Sequence, residues 1–140
     1  MTLPNLESIK IVIVGLGYVG LPLATRLSDH FDIVGFDVDV LRVSQLQSGY
    51  DRTGECTKAE MDTADLTLTS DPAQIKDADV YIVTVPTPVD ADNKPDLGAV
   101  LSASEVIGSR LKKNAIVVFE STVYPGVTET ICGPALEQAS

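Results

Sequence analysis

The amino-acid sequence predicts an α/β fold: a doubly wound parallel sheet between helices, in three αβα layers. Short β-branched runs alternate along the 140 residues with segments of helical period. That alternation is typical of βαβ units with right-handed crossovers. A glycine-rich turn, residues 15–20, joins the first run to the first helix. The length suits one domain with a single substantial core.

The first two strands are expected at residues 9–14 and 33–36. The first is a β-branched run of the kind that is buried on both faces of a sheet. The helix between the strands carries Val19, Leu23 and Leu27 on one stripe, which we expect to face the core.

A second helix and an insertion follow. Asp39 is placed to cap the helix, and Gly49 suits the left-handed residue after its end. Residues 49–64 form the insertion, with a tight turn expected at Gly54. The capping-box pattern at residues 57–60 indicates a short helix inside it.

The remaining elements follow the same alternation. Further strands are expected at residues 66–69, 80–85 and 115–119. In the first of these, apolar and polar residues alternate, as in a less buried strand, and the second should be fully buried. Asp71 and Pro72 start a short helix, and the last helix begins near Thr128. Between them lies a helix that Asp96 should cap, with a stripe of Leu97, Val100, Leu101, Ile107 and Leu111.

The composition argues against several kinds of partner and site. Twenty acidic and ten basic residues give a net charge of −10, which repels nucleic acid. No apolar run reaches the ~18 residues of a membrane span, and the N-terminus lacks a signal pattern, so a cytoplasmic location is expected. Cys56 and Cys132 lie far apart without a metal-binding spacing, so no metal is expected. His30, the single histidine, is interpreted as a surface residue.

The glycine-rich turn has the pattern GxGxxG and predicts a dinucleotide site of the Rossmann type. Gly15 permits the tight turn, Gly17 lets a pyrophosphate approach the backbone, and Gly20 lets the helix lie close to the strand. The amides of Tyr18 and Val19, at the helix N-terminus, should bind the phosphates. The alternative is a structural turn that is merely rich in glycine.

Asp37, 22 positions after Gly15, closes the second strand. A carboxylate there accepts the adenosine ribose hydroxyls and repels a 2′-phosphate, which favours NAD over NADP. Arg42 lies one helical turn further on. It is interpreted either as a cofactor contact, over the adenine or near a 2′-phosphate, or as a solvated helix residue.

Two stretches at strand ends, residues 83–90 and 120–126, should meet at the nicotinamide side of the site. Their alternative readings are a strand terminated by prolines and a capped turn before the last helix. No general base or nucleophile is evident. The candidate cofactor contacts in these stretches are Val85, Pro86, Thr87, Ser121 and Thr122.

Together these motifs resemble one family. The sequence VGLGYVGLPLA (14–24), VTVPTPVD (83–90) with PDL (95–97), and ESTVYPGVTE (120–129) is similar to the N-terminal NAD-binding domain of the UDP-glucose/GDP-mannose dehydrogenases. Residues 48–55 look most like the branch that oxidises UDP-N-acetylhexosamines for capsular and O-antigen polysaccharides.

The resemblance implies an activity and a set of contacts. Members oxidise the sugar C6 alcohol to a carboxylate with two NAD. A cysteine of the later, sugar-binding domain forms a thiohemiacetal and then a thioester that is hydrolysed. Thr122 would lie near the reacting carbon in a supporting role. By motif position, the NAD contacts would be Tyr18, Val19, Asp37, Arg42, Thr87 and Thr122.

The same resemblance implies that residues 1–140 are a truncated NAD-binding domain. The central helix, the UDP-sugar domain, and the catalytic cysteine, lysine, asparagine and glutamate would lie beyond Ser140. We expect the full-length enzyme to be a homodimer and the fragment alone to be inactive. Two alternatives share the cofactor cradle: a 6-phosphogluconate or β-hydroxyacid type dehydrogenase, and a non-enzymatic dinucleotide-sensing regulatory module.

Overall fold

The structure, a computed structural model, describes residues 3–121 and 126–140. The strands found there form one parallel sheet in the order β3-β2-β1-β4-β5. They are β1 (Lys10–Val14), β2 (Asp32–Phe36), β3 (Leu66–Thr69), β4 (Val80–Val83) and β5 (Ile116–Phe119). The strand order changes direction between β1 and β4, which makes their carboxyl ends the topological switch point. The prediction of a doubly wound α/β fold is confirmed.

Helices connect successive strands. They are α1 (Gly20–Leu27), α2 (Val40–Gln47), α3 (Lys58–Thr63), a 3-10 turn (Pro72–Ile75), α4 (Gly98–Gly108), a π-helical turn (Thr128–Cys132) and α5 (Gly133–Ala139). The predicted caps of α2 and α3 are present: Asp39 accepts from the amide of Arg42, and Thr57 accepts from the amide of Glu60. Gly49 has the expected left-handed conformation, with a φ of +86°.

Both faces of the sheet are buried, as the β-branched runs predict. Because side chains alternate across a strand, β1 contributes Val12 and Val14 to one face and Ile11 and Ile13 to the other. On the first face these residues join a core cluster with Ala103 and Ile107 of α4. On the second they join a cluster with Leu21 and Ala24 of α1 and Leu46 of α2.

Three of the predicted elements, α1, β4 and α4, differ from the structure in their ends or in their burial. In α1 the fully buried residues are Leu21 and Ala24, while Val19 is the N-cap residue before the helix and is exposed. Strand β4 ends at Val83, and its Val80 and Ile82 are half-buried where they pack against the cluster of the second face.

The third of these elements is α4. Its N-cap is Leu97, which makes no side-chain capping bond. Asp96, the predicted cap, lies one residue before that position, and its carboxylate accepts from the amide of Gly98. Val100 and Ile107 are fully buried as predicted, but Leu101 is half-buried. Among the described residues no helix is long and apolar enough to cross a membrane.

Candidate functional site

A cleft of about 860 Å³ opens at the carboxyl ends of the strands, at the switch point. We call its wall after β1 and β2 the first half of the cleft, and its wall after β4 and β5 the second half. Helix α4 closes one side. The predicted cofactor residues that line it are Gly15, Gly17, Tyr18, Val19, Asp37, Arg42, Val85, Pro86, Thr87 and Ser121. Thr122 lies outside the described residues.

The glycine turn has the geometry that its spacing predicts. Gly15 has a φ of +99°, and a Cβ there would lie 2.9 Å from the backbone nitrogen of Val85. A Cβ on Gly20 would overlap the carbonyl oxygen of Gly15, so this glycine lies behind the cleft and permits close packing of α1. A Cβ on Gly17 would meet no protein atom within 4 Å. Its missing side chain therefore makes room for a ligand and not for the fold.

Hydrogen bonds fix the turn from two sides. The amide of Gly15 donates to the carbonyl of Phe36 at 2.8 Å, and the hydroxyl of Thr84 donates to the carbonyl of Gly15 at 2.7 Å. None of the hydrogen bonds of residues 3–121 and 126–140 that involve the turn uses the amides of Gly17, Tyr18 or Val19 as donors. These N–H groups at the start of α1 are suited to bind a phosphate.

Asp37 lies at the end of β2, as predicted, and is fixed by backbone amides. Its Oδ2 accepts from the amide of Leu16 at 2.9 Å, and its Oδ1 accepts from the amide of Asp39 at 2.9 Å. Each carboxylate oxygen has a further lone-pair position. The group is therefore preorganised to accept the two hydroxyls of a ribose.

Arg42 is buried, with 2% of its surface exposed, so its interpretation as a solvated helix residue is wrong. Its Nε donates to the carbonyl of Leu16 at 2.9 Å and its Nη1 to Asp51 at 2.8 Å. Nη2 is buried without a partner among the described residues, and the side chain lines the cleft. An unpaired buried donor at this position is what an acceptor on a bound nucleotide would satisfy.

Asp51 anchors the loop that starts the insertion. Besides Arg42, its carboxylate accepts from the amide and hydroxyl of Thr53 and from the amides of Glu55 and Cys56, at 2.7–2.9 Å. Burial by itself raises the pKa of Asp51, but the hydrogen bonds from Thr53, Cys56 and Arg42 outweigh it and keep the pKa well below its usual range. The carboxylate is thus charged at neutral pH.

Among the described residues, the side chain of Ser121 links the two segments of the second half of the cleft. The hydroxyl of Ser121 donates to the carbonyl of Val85 at 2.7 Å, so the segments after β4 and β5 are joined. The amide of Glu120 donates to Val83 at 2.9 Å, and the Glu120 side chain is exposed along the cleft. Pro86 is also exposed.

Sequence reasoning missed two parts of the lining. Arg52 and Thr53 reach the first half of the cleft from the insertion, and no spacing rule indicates that a loop 15 residues after β2 returns there. The small residues Ala99, Ser102 and Ala103 of α4 also line it. Their i, i+3, i+4 spacing puts them on one face of the helix. A face of small residues, which lets a ligand approach the helix, could have been predicted from the sequence.

Neither cysteine is suited to be a nucleophile. Cys56 and Cys132 are buried and free, and neither lines the cleft. Burial raises the pKa of both thiols, which disfavours the reactive thiolate. His30 is exposed, as predicted. Within residues 3–121 and 126–140 no group of three His, Cys, Asp or Glu could hold a metal ion.

Comparison with known proteins gives one consistent result. The model of the UDP-glucose/GDP-mannose dehydrogenase family, NAD binding domain, matches residues 9–140. CapL of Staphylococcus aureus is 46% identical over 131 residues, 94% of this chain and 31% of that protein. The UDP-N-acetyl-D-glucosamine 6-dehydrogenase of Pseudomonas aeruginosa is 46% identical over 136 residues, 96% of this chain and 32% of that protein.

Solved structures agree with the sequence relatives. The GDP-mannose dehydrogenase of Pseudomonas aeruginosa superposes with a TM-score of 0.81 at 30% identity, over 93% of this chain and 32% of that one. The UDP-D-ManNAc dehydrogenase of Pyrococcus horikoshii gives 0.83 at 29% identity, over 94% and 32%. The chain therefore spans about a third of the length of the relatives that it matches.

Proposed function

The chain belongs to the UDP-glucose/GDP-mannose dehydrogenase family, as its NAD-binding domain, and on that premise we propose an activity for the longer protein. That protein oxidises the C6 alcohol of a UDP-N-acetylhexosamine to the uronic acid with two NAD. The identity of 46% to UDP-N-acetyl-D-glucosamine 6-dehydrogenases, over nearly the whole chain, supports this substrate class above UDP-glucose. It also favours this activity over that of a 6-phosphogluconate type dehydrogenase or a regulatory module.

The observation that carries the proposal is the open position at Gly17, beside the fixed carboxylate of Asp37. The amides of Gly17, Tyr18 and Val19 bind the pyrophosphate there, and Asp37 accepts the adenosine ribose hydroxyls. Arg42 contributes Nη2 as a donor to the adenosine portion.

In the second half of the cleft, Val85, Pro86, Thr87 and Ser121 form the wall against which the nicotinamide side lies. NAD, when bound, supplies the acceptor for the hydride that leaves C6. The bond between Ser121 and Val85 fixes the spacing of the two segments and so orients that end of the cofactor. Thr122, next in sequence, takes the supporting role near the reacting carbon.

The nucleophile and the base come from the rest of the longer protein. Oxidation to the acid needs a nucleophile that binds the intermediate at the oxidation level of an aldehyde, and a base that accepts the proton of the alcohol. Cys56 and Cys132 do not line the cleft, and Glu120 is the one carboxylate in the second half of its described lining. We expect the central helix and the sugar-binding domain in the remainder of the longer protein. The longer protein is a cytoplasmic homodimer.

An assay of the longer protein tests the substrate class. NADH is recorded with UDP-N-acetylglucosamine, UDP-N-acetylgalactosamine and UDP-N-acetylmannosamine, with UDP-glucose as the matched comparison. We expect two NADH per sugar with at least one N-acetylhexosamine. With UDP-glucose we expect kcat/KM to be lower by at least about tenfold. Turnover of UDP-glucose alone would contradict the substrate class, and turnover of no nucleotide sugar would contradict the activity.

A further inference from the structure

Five charged side chains surround the first half of the cleft, and four of them form two ion pairs. Arg42 pairs with Asp51 at 2.8 Å, and Arg52 pairs with Asp39 at 3.2 Å. Asp37 accepts from backbone amides and has no cationic partner among the described residues. The net charge of this half is therefore the negative charge of Asp37.

The two pairs differ in how strongly they neutralise their arginines. In the pair of Arg52 and Asp39 the side chains are 46% and 43% exposed, so water and salt screen it. In the pair of Arg42 and Asp51 they are 3% and 0% exposed. With so little contact with water, the Asp51 carboxylate is the charged group that compensates Arg42 among the described residues, beside the hydrogen bond to the carbonyl of Leu16.

Arg42 and Asp37 are bound to the same residue at the cleft wall. The Nε of Arg42 donates to the carbonyl of Leu16, and the Oδ2 of Asp37 accepts from the amide of Leu16. Both residues line the cleft. An arginine near the ribose is the feature by which related folds accommodate a 2′-phosphate, whereas a carboxylate there binds the 2′-hydroxyl.

We propose that Asp51 is a specificity-determining residue for the cofactor. It neutralises Arg42 from behind the cleft wall, keeps the first half of the cleft negative, and so makes the cleft reject the 2′-phosphate of NADP. Asp51 does not line the cleft and acts through Arg42. This role rests on the proposed placement of NAD in the cleft.

The test is the ratio of the dissociation constants of NADP and NAD, measured by calorimetry on the 140-residue chain. Asp51→Asn retains the size of the side chain but removes its charge. We expect the ratio to fall about tenfold, mainly because NADP binds more tightly to a site with an uncompensated arginine. Asp62→Asn is the matched control, since it removes a carboxylate from the exposed pair with Lys58 on α3, outside the cleft lining. It should leave the ratio unchanged.

A second pair of variants tests whether the effect passes through Arg42. Arg42→Met with Asp51→Asn removes both charges, so the ratio should return to about the wild-type value although both cofactors bind more weakly. Arg42→Met alone leaves the Asp51 carboxylate uncompensated, so its ratio should exceed that of the double variant. If the Asp51→Asn protein does not fold, Arg42→Met alone decides the matter, because its uncompensated Asp51 carboxylate should raise the ratio above the wild-type value.

Several results would overturn the proposal. Equal weakening of NAD and NADP by Asp51→Asn would mean that Asp51 only anchors its loop. A ratio lowered as much in the double variant as in Asp51→Asn would mean that the effect does not involve Arg42. Equal ratios in Arg42→Met and the double variant would contradict it too. A wild-type chain that binds neither cofactor would instead contradict the placement of NAD in the cleft.

Discussion

The two halves of the cleft differ in how completely this chain builds them. In the first half, Asp37, Arg42 and Asp51 make an interlocked set of hydrogen bonds, and the last two are almost fully buried. In the second half, Pro86 and Glu120 are exposed, and the hydroxyl of Ser121 donates to the carbonyl of Val85 across the two segments.

This difference separates binding from chemistry. The first half belongs to one βαβ unit and its insertion, so the chain can preorganise it without help. The second half lies where a hydride would move, and exposed groups there leave room for a further domain to contact the cofactor and the sugar. On the proposed placement of NAD, the first half would bind the adenosine end of the cofactor and the second half would lie where the hydride is transferred.

The largest effect should come from breaking the buried ion pair of the first half. Arg42→Met leaves the Asp51 carboxylate buried without its cation, so the free energy of unfolding should fall by about 3–5 kcal/mol. The exposed pair of Lys58 and Asp62 is the comparison, because Asp62→Asn should change it by less than about 0.5 kcal/mol. Denaturant unfolding measures both, and equal losses in the two variants would show that burial of the first pair is immaterial.

The same pair predicts a pH dependence. The pKa of Asp51 is lowered in the folded chain, so its stabilisation is present above its unfolded pKa of about 3.9 and is lost as the pH falls below that value. The difference in unfolding free energy between the wild type and Asp51→Asn should therefore be constant above about pH 5 and shrink below about pH 4. A difference that grows as the pH falls would contradict the lowered pKa.

The next largest effect separates two glycines of one turn. Gly17→Val should lower NAD affinity by at least about 100-fold while the chain stays folded, since its side chain would occupy the path of the pyrophosphate and no protein atom is near. Gly20→Ala should instead destabilise the fold, because its Cβ overlaps the carbonyl of Gly15. Calorimetry and circular dichroism distinguish the two. Undiminished NAD affinity in folded Gly17→Val would show that the cradle is misassigned.

A smaller effect concerns the discrimination between cofactors. The wild type should bind NAD more tightly than NADP, because the Asp37 carboxylate repels a 2′-phosphate. Asp37→Ala should lower the ratio of the NADP and NAD dissociation constants by about tenfold. Tighter binding of NADP by the wild type would contradict the role of Asp37.

The smallest effect is expected in the second half. Ser121→Ala removes the bond to the Val85 carbonyl, which is worth about 1 kcal/mol, so NAD affinity should fall about fivefold or less. Its effect should be larger on turnover of the longer protein, where the orientation of the nicotinamide matters. A loss of affinity as large as that of Gly17→Val would mean that the second half also dominates binding.

Local signals in the sequence were sufficient for the strands, the caps of α2 and α3, and the glycine turn and Asp37 in the first half of the cleft. The glycine spacing, Asp37 at a strand end and Asp39 before a helix each depend on neighbours within a few residues, so each could be predicted. The position of Arg42 could not. Its burial depends on its ion pair with Asp51. The Asp51 carboxylate is in turn held in place by four hydrogen-bond donors of its own loop.

Partial burial was also beyond the sequence. The run of residues 80–85 looks uniformly apolar, yet Val80 and Ile82 are half-buried because burial depends on which helices cover the sheet face. In α1, Val19 is exposed and Leu21 is buried, and Gly20 between them packs closely against the carbonyl of Gly15. A hydrophobic period indicates that a face exists but not which of its residues are buried.

Binding and turnover can be measured in the same preparation of the 140-residue chain. Calorimetry should show NAD bound at one site, and the same preparation should produce no NADH with UDP-N-acetylglucosamine or UDP-N-acetylgalactosamine. Chain extended to the length of the relatives should produce NADH with at least one of them. Steady NADH production by the 140-residue chain would contradict the proposal that the nucleophile and the base come from the rest of the longer protein.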